Sequence, residues 1–459
     1  MISRSSATQT MRGLTQYIAD LRSCRTRELE EKAVNREMAH IRQKFRAASA
    51  LDGYQRKKYV AKIIFTYMQG HSVDVGHLEA VNLVASTRYS EKQIGYLALT
   101  LLMHENSDLV RLVINSVRKD LESYNEVHTC LALHAVANVG SLEMDESLSE
   151  DVLKLLVSPT SPPTVQKKAA LTLLRLYRKF PEGIAAAEWN DRLSELLASR
   201  HLGVALSVAS LLITLAQDDP ASYALCYPHA VETLHKVIVE REYTEDYLYH
   251  DIPSPWLLVK LLRLLQYFEG PAEPRLATAL NAVFEQILRE ARLASARSVQ
   301  QSNAYNAILF EAIRLAIHID TGSAIAARFA VLLGRFLVSR ETNVRYLGLD
   351  TMARLALRVA SLESIKMHEA TIIQSLRDPD VSVRRRALDL LYSMCDEENV
   401  KRIVAELLHC MGAADPSLRE QMIVKTAILT DRVRWPPDGR VTDRQFALDY
   451  RWYIDTSTS

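Results

Sequence analysis

The chain has 459 residues, 48% of them apolar, with 56 Lys and Arg against 55 Asp and Glu. Its length accommodates two or three compact domains or one repeat array. Only 14 glycines and 14 prolines undersupply the tight turns of a sheet-rich fold and favour helices. Cys24, Cys130, Cys226, Cys395 and Cys410 are odd in number, far apart and without a C-x-x-C pair, which argues against a disulfide framework or a zinc cluster and suggests reduced core residues in a cytosolic protein. No apolar run reaches the eighteen or so residues that span a bilayer, and "MISRSSATQT" lacks a signal-peptide core, so any membrane role is expected to be peripheral.

From Met1 to Lys62 there are fourteen Lys and Arg against six Asp and Glu, a balance of +8, which leaves −7 for the remainder. Leu14, Tyr17, Ile18 and Leu21 form a first helical stripe. Leu29, Val34, Met38, Ile41 and Phe45 form a second. In "DGYQRKKYVAKIIF" (Asp52 to Phe65), Val60, Ile63, Ile64 and Tyr67 make a core-facing stripe, and Tyr54, Lys58 and Lys62 recur every four residues on another face. The basic residues are therefore expected on the exposed side of an anchored helix.

The plain interpretation of "QRKK" is a solvated helix start. Cations there oppose the helix dipole, however, and residues that break a local rule tend to serve function. A basic face beside Tyr54 and Tyr59 suits an anionic lipid headgroup or a nucleic-acid backbone. Nucleic-acid solenoids usually spread positive charge along a whole surface, whereas the rest of this chain is net negative, so a local, pocket-sized site fits better.

"GHSVDVGH" holds His71, Asp74 and His77 at a spacing that matches no standard metal site, and a polar inter-helix loop accounts for it. There is no G-x-S-x-G, Walker phosphate loop or dinucleotide fingerprint, so no enzyme activity and no cofactor are expected. His104, His134, His201 and His368 fall within helical repeats and are expected to be structural or exposed.

The body of the chain repeats. Gly95, Ala132, Ala169 and Val208 occupy equivalent places in four apolar helical stretches, at steps of 37, 37 and 39 residues, and Gly348 and Ala387 are again 39 apart. A period near 40 with amphipathic patterning predicts an all-α fold of paired helices stacked as a HEAT or armadillo-like solenoid. Register is lost between about Asp218 and Ala307, where Pro220, Pro228, Pro253, Pro255, Pro271 and Pro274 predict long loops and irregular helices. Asp378, Pro379 and Asp380 read as an inter-helix turn, with Arg384 to Arg386 opening the next helix.

Several stretches resemble the alpha branch of the adaptins, the large chains of clathrin adaptor complexes: "MRGLTQYIADLRSC", "ALDGYQRKKYVAKIIF", "GHLEAVNLVASTRYSEKQIGYL", "LALHAVANVGS", "PWLLVKLLRLLQ", "SNAYNAILFEAI" and "VSVRRRALDLLYSMCD". The similarity runs from about Met11 to Asp455. It implies a trunk domain, a right-handed α–α superhelix that embraces a small sigma chain and packs with a second large (beta) adaptin and a medium (mu) chain in a heterotetramer. It also implies a peripheral location on the cytoplasmic face of the plasma membrane, in clathrin-coated pits, and in the cytosol, with no nucleic-acid partner.

By motif, the resemblance implies a phosphatidylinositol bisphosphate site at Arg12, Gly13, Lys44, Tyr54, Lys58, Tyr59 and Lys62, with Arg56 and Lys57 adjoining. It implies that Arg22 helps to receive the acidic residue of acidic dileucine cargo signals. Ala47, Ala48 and Ser49 stand where relatives often carry a lysine, which weakens part of the positive rim. The expected divisions are a disordered tail over 1–10, the trunk over 11–432, an aberrant insertion over 433–445 and a trunk remnant over 446–459. Hinge and appendage functions do not carry over. A large chain of another adaptor, or a HEAT scaffold for protein or nucleic-acid partners, is the alternative.

Overall fold

The structure is a computed structural model, which describes residues 12–47, 51–183, 186–292, 298–319, 323–357, 363–396, 398–412 and 414–434. These residues are overwhelmingly helical, and the chain divides into two compact units, Met1–Thr233 and Leu234–Ser459. The expected tail over 1–10, the expected insertion over 433–445 apart from Val433 and Arg434 at the end of the last helix, and the expected remnant over 446–459 lie outside the described residues. None of the described helices is long and apolar enough to cross a membrane.

In the first unit, α1 spans Arg12–Ser23, α2 Arg27–Arg46, α3 Gly53–Met68, α4 His77–Val84, α5 Tyr89–Leu102, α6 Val110–Leu121, α7 Glu126–Val139, α8 Leu142–Val157, α9 Pro163–Lys179, α10 Asn190–Glu195 and α11 Leu202–Asp218. Helix α12, Cys226–His235, falls at the division between the units. Helices α3, α5, α7, α9 and α11 pack consecutively as one row. Helices α4, α6 and α8 form a second row, each paired with the helix that follows it.

The repeat spacing found in the sequence maps onto this arrangement. Gly95, Ala132, Ala169 and Val208 are all buried, one in each of α5, α7, α9 and α11. Small or branched residues recur there because neighbouring helices press on these positions. At Gly95 an added Cβ would stand 2.6 Å from the Val84 backbone nitrogen, so α4 and α5 approach nearly backbone to backbone. Side chains cap several helices: Asp52 accepts from the Gln55 amide, Asn125 from Val127 and Ser141 from Met144, satisfying amides that lack an intrahelical partner.

In the second unit, α13 spans Pro255–Leu264, α14 Pro274–Arg292, α15 Val299–Ile319, α16 Ser323–Leu337, α17 Thr342–Ala356, α18 Glu363–Lys366, α19 Glu369–Ser375, α20 Val381–Ser393, α21 Val400–Met411 and α22 Pro416–Arg434. Here α13, α15, α17, α20 and α22 pack in sequence, and α14, α16, α19 and α21 pair with α15, α17, α20 and α22. Gly348 and Ala387 are buried in α17 and α20, and Asp380 caps α20 through the amides of Ser382 and Val383.

The irregular stretch is real but shorter than the prolines suggested. It includes 3-10 turns at Ala221–Tyr223 and Glu245–Tyr247, a π turn at Lys236–Glu240 and a two-residue hairpin, β1 Leu248–Tyr249 against β2 Ile252–Pro253. His250 and Asp251 make the hairpin turn at φ 48° and 65°. Paired helices resume at Pro255, well before the repeat register is visible again in the sequence.

Three further expectations are corrected. Leu29 and Tyr67 are exposed, so the second and third apolar stripes are shorter than their periodicity suggests. Of the five free cysteines only Cys226 is buried, and the other four are partly exposed. Arg56 and Lys62 are not on an exposed face, for the reason given next.

Candidate functional site

The N-terminal end of the first unit is a base formed by α1, α2 and α3 around Tyr17, Leu21, Val34, Met38, Ile41, Val60, Ile63 and Ile64. Burying an aliphatic side chain of this kind contributes about 2 kcal/mol, so this seam fixes the direction in which every polar residue of α3 points. Tyr17 reaches across it, with its hydroxyl 2.9 Å from Thr66 Oγ1, and burial raises the phenol pKa above its ordinary value. Gly76, at φ +97°, lets the following loop pass: a Cβ there would meet Ile63 Cδ1 at 2.6 Å.

The first turn of α3 carries the basic cluster. Asp52 caps it with a 2.7 Å bond to the Gln55 amide, and this carboxylate offsets part of the conflict between Arg56, Lys57, Lys58 and the helix dipole. Arg56 is ion-paired with Glu79 of α4, with the two side chains only 24% and 11% exposed. Lys57 donates to Ser90 Oγ at 3.3 Å and lies over the Tyr54 ring, 5.4 Å from its centroid. Lys58 lies over the Tyr59 ring at 4.6 Å.

Gly13 of α1 faces this lysine: a Cβ there would stand 3.1 Å from Lys58 Cδ. The absence of a side chain on Gly13 leaves room for the Lys58 stem. Tyr59 is 6% exposed, with its ring edge-on to His40 and Phe45 of α2 at 5.9 and 6.1 Å. Its role in this arrangement is to hold the wall on which Lys58 rests.

Lys62 is 8% exposed and donates to Glu37 Oε1 at 2.6 Å, with the ring of Tyr17 5.3 Å away. Its four-residue spacing from Lys58 does place it on the same strip of α3, but α2 covers that end of the strip. Arg56 turns toward α4 for the same reason, because a carboxylate waits there. Two of the cations are therefore neutralised internally. Lys57 and Lys58 are half-buried and have no acidic partner among the described residues.

Lys44 is exposed in the last turn of α2, where a cation is favourable to the dipole. Arg12 opens α1, with its side chain outside the described part of the structure. Arg22 is exposed near the other end of α1, about 14 Å along the axis from Gly13 at 1.5 Å per residue, and forms no ion pair among the described residues. It constitutes a separate place from the α3 cluster.

Asp74 of the "GHSVDVGH" loop pairs with Arg42 at 2.5 Å, which holds its carboxyl below the usual range, and His71 is 3.4 Å from Glu30. No group of three His, Cys, Asp or Glu among the described residues is placed to hold a metal ion. Glu37, Glu79 and His40 escaped the sequence-based selection. Their partners on α3 lie 25, 23 and 19 positions away, and no local period links residues across such distances.

The fold and the cluster define a helical-repeat protein with a basic N-terminal end. Residues 30–458 match the family model for the adaptin N-terminal region, and the chain belongs to that family. It is 42% identical over 450 residues to the AP-2 complex subunit alpha-2 of Dictyostelium discoideum, covering 98% of this chain and 44% of that protein. It is 41% identical over 451 residues to the AP-2 complex subunit alpha of Schizosaccharomyces pombe, covering 98% of this chain and 49% of that one.

The AP-1 complex subunit gamma of Dictyostelium discoideum is 30% identical over 446 residues, covering 96% of this chain and 46% of that one. The chain thus spans less than half the length of these curated relatives. Among solved structures, a chain in a homology model of the full-length AP-3 complex in an intermediate open conformation has a TM-score of 0.52 at 19% identity, covering 89% of this chain and 68% of that one. At that identity the likeness concerns the fold alone.

Proposed function

We propose that this chain is the trunk portion of the alpha-type large subunit of an endocytic clathrin adaptor, with a role in assembly and cargo selection rather than catalysis. The identity is higher to the AP-2 alpha subunits, at 41–42%, than to the AP-1 gamma subunit, at 30%, which favours the plasma-membrane adaptor over its sister complex. In this role the chain embraces a small sigma chain, packs with a beta adaptin and a mu chain, and works as a peripheral protein at the cytoplasmic face of the plasma membrane. Arg22 receives the acidic residue of dileucine cargo signals.

The lipid contact is made at the start of α3. The observation that carries it is the pair Lys57 and Lys58, which have no acidic partner among the described residues and stand between exposed Tyr54 and the gap left by Gly13. A phosphatidylinositol bisphosphate headgroup docks against them, with Lys44 at the rim and Tyr54 beneath the ring, and Arg12, next to Gly13 in sequence, adds a further cation. Tyr59, Lys62 and Arg56 position this surface, through His40, Glu37 and Glu79.

Each basic group near an anionic surface contributes about 1 kcal/mol, so five free cations would give a dissociation constant of about 0.2 mM. With Arg56 and Lys62 neutralised, the three remaining on α2 and α3 give only about 3 kcal/mol, or several millimolar. Such a contact is useful only in combination with a second one, a cargo peptide or another lipid site, which it renders effectively intramolecular. Recruitment then requires both signals.

The test uses the adaptor assembled around this chain and vesicles with and without phosphatidylinositol 4,5-bisphosphate. Lys57→Glu with Lys58→Glu lowers vesicle binding at least tenfold while assembly is unchanged. Arg22→Glu removes dileucine-peptide binding and spares the vesicles. Vesicle binding that survives the double charge reversal overturns the lipid assignment.

A further inference from the structure

A second group of cations lies on the face shared by α7 and α9, two helices along the row from α3. On α9, Lys168 and Arg175 are seven residues apart and so share one helix face, with Leu171, 42% exposed, between them. On α7, His134 and Asn138 are four apart on the facing side. Arg175 Nη1 donates to Asn138 Oδ1 at 3.1 Å, and Asn138 Nδ2 is 2.9 Å from His134 Nε2, so the three form one connected polar strip. Lys167 lies along the start of α11, where a Cβ on Gly203 would meet its Cδ at 3.1 Å.

None of Lys167, Lys168, Arg175 and Arg178 has an acidic partner among the described residues. They lie in the part of the chain after Lys62, which is net negative, with 49 acidic residues against 42 basic ones. The unbalanced charge is felt locally. After burial, Lys168 and Arg175 are the causes that hold the His134 pKa below its ordinary value. Burial raises the Cys130 thiol pKa one turn earlier on α7, and Glu126 adds to the rise, while Lys168 and Lys167 act in the opposite sense. Glu126 itself is engaged by Thr164.

We propose that this face is a polyanion site, in which Lys168, Arg175 and His134 hold the phosphate groups of an inositol polyphosphate whose ring rests on Leu171. Two turns of helix, about 10.5 Å of axial rise, separate Lys168 from Arg175, so a single phosphate cannot engage both, whereas a ring phosphorylated on opposite sides can. A nucleic-acid backbone demands a longer stripe, and Glu126, engaged by Thr164 at the start of α9, bounds this one. The ligand is either a free inositol phosphate or a phosphoinositide headgroup, which present the same chemistry. Binding draws a proton onto His134, because a nearby phosphate reverses the field that disfavours the imidazolium, and the Nε2 that takes it up gives up the hydrogen bond it accepts from Asn138 Nδ2.

The test is calorimetry with inositol hexakisphosphate, using the full chain in a Lys57→Gln, Lys58→Gln background that silences the α3 site. Binding is expected to weaken about 30-fold on Lys168→Gln with Arg175→Gln, both exposed enough to leave folding intact. It is also expected to take up protons between pH 6 and 8, as read from its dependence on buffer ionisation enthalpy, and His134→Gln abolishes that uptake. Vesicles with phosphatidylinositol 4,5-bisphosphate identify the source: binding to them as well assigns a membrane headgroup, and binding to the soluble compound alone assigns a free inositol phosphate. No response to the Lys168 and Arg175 substitutions, or capture of a phosphoserine peptide without inositol hexakisphosphate binding, overturns the proposal. Because the α3 lysines are already neutralised, neither result bears on the lipid contact at α3.

Discussion

Lys62 Nζ stands 2.6 Å from Glu37 Oε1, linking α3 to α2 across 25 positions, with the lysine side chain 10% exposed. Removing one partner of such a pair leaves the other desolvated and alone, which costs more than the pair itself contributes. Lys62→Met is expected to destabilise the α2–α3 seam by about 2 kcal/mol, and Glu37→Gln added to it recovers more than half. Hydrogen exchange of the α2 and α3 amides measures this locally. Strictly additive effects would show that the two side chains do not interact.

A deeper pair joins α5 to α6. Lys92 Nζ lies 2.6 and 2.8 Å from the Asp120 oxygens and 2.9 Å from the Val84 carbonyl, and the Tyr96 hydroxyl donates to Asp120 at 2.6 Å. Burial, with the Asp120 carboxylate, raises the Tyr96 phenol far above its ordinary range. Lys92→Met is expected to cost about 3 kcal/mol or more, since Asp120 is left charged and buried. Tyr96→Phe removes one hydrogen bond of three and costs about 1–2 kcal/mol. Thermal unfolding of the two variants ranks them, and the reverse order would refute the assignment of Asp120 as a carboxylate held chiefly by Lys92.

Two glycines in the same row are predicted to behave oppositely when replaced by alanine. At Gly95 the new Cβ meets backbone, 2.6 Å from Val84 N and 2.8 Å from Leu83 C, so α4 and α5 must separate, at a cost of about 2–3 kcal/mol. At Gly203 it meets only the distal stem of Lys167 at 3.1 Å, which can swing aside. Alanine there gains helix propensity, up to about 1 kcal/mol. Gly95→Ala therefore lowers the melting temperature and Gly203→Ala leaves it unchanged or raises it.

The repeat was legible because packing is periodic. Gly95, Ala132, Ala169 and Val208 can be small or branched only where a neighbouring helix presses on each, and that neighbour recurs every 37 to 39 residues. The resumption of the array at α13 was not legible, because α13 follows a hairpin that shifts the spacing without altering the packing. The basic cluster was legible as composition, but not its division. Nothing near Lys58 or Lys62 in sequence distinguishes them, and the difference comes from Glu37 on another helix. Charge on a helix is a local property, whereas its neutralisation is a tertiary one.

Asp145, in the first turn of α8, is buried with neither carboxylate oxygen hydrogen-bonded in the described structure. Burial, with a smaller contribution from Glu146, pushes its pKa up to about 6 from the usual 3.8. Between those two values the native carboxyl holds a proton that the unfolded chain has released. The contribution of this carboxyl to stability is therefore greatest below about pH 4, falls as the pH rises through about 6, and stays lower above it, by at most about 3 kcal/mol. Asp145→Asn removes the charge and is expected to flatten this slope while stabilising the protein at pH 7. Chemical unfolding of both proteins at pH 4.5 and 7 measures it: the gap between them widens with pH if Asp145 is the group responsible, and a constant gap means the carboxyl is already neutralised by another partner.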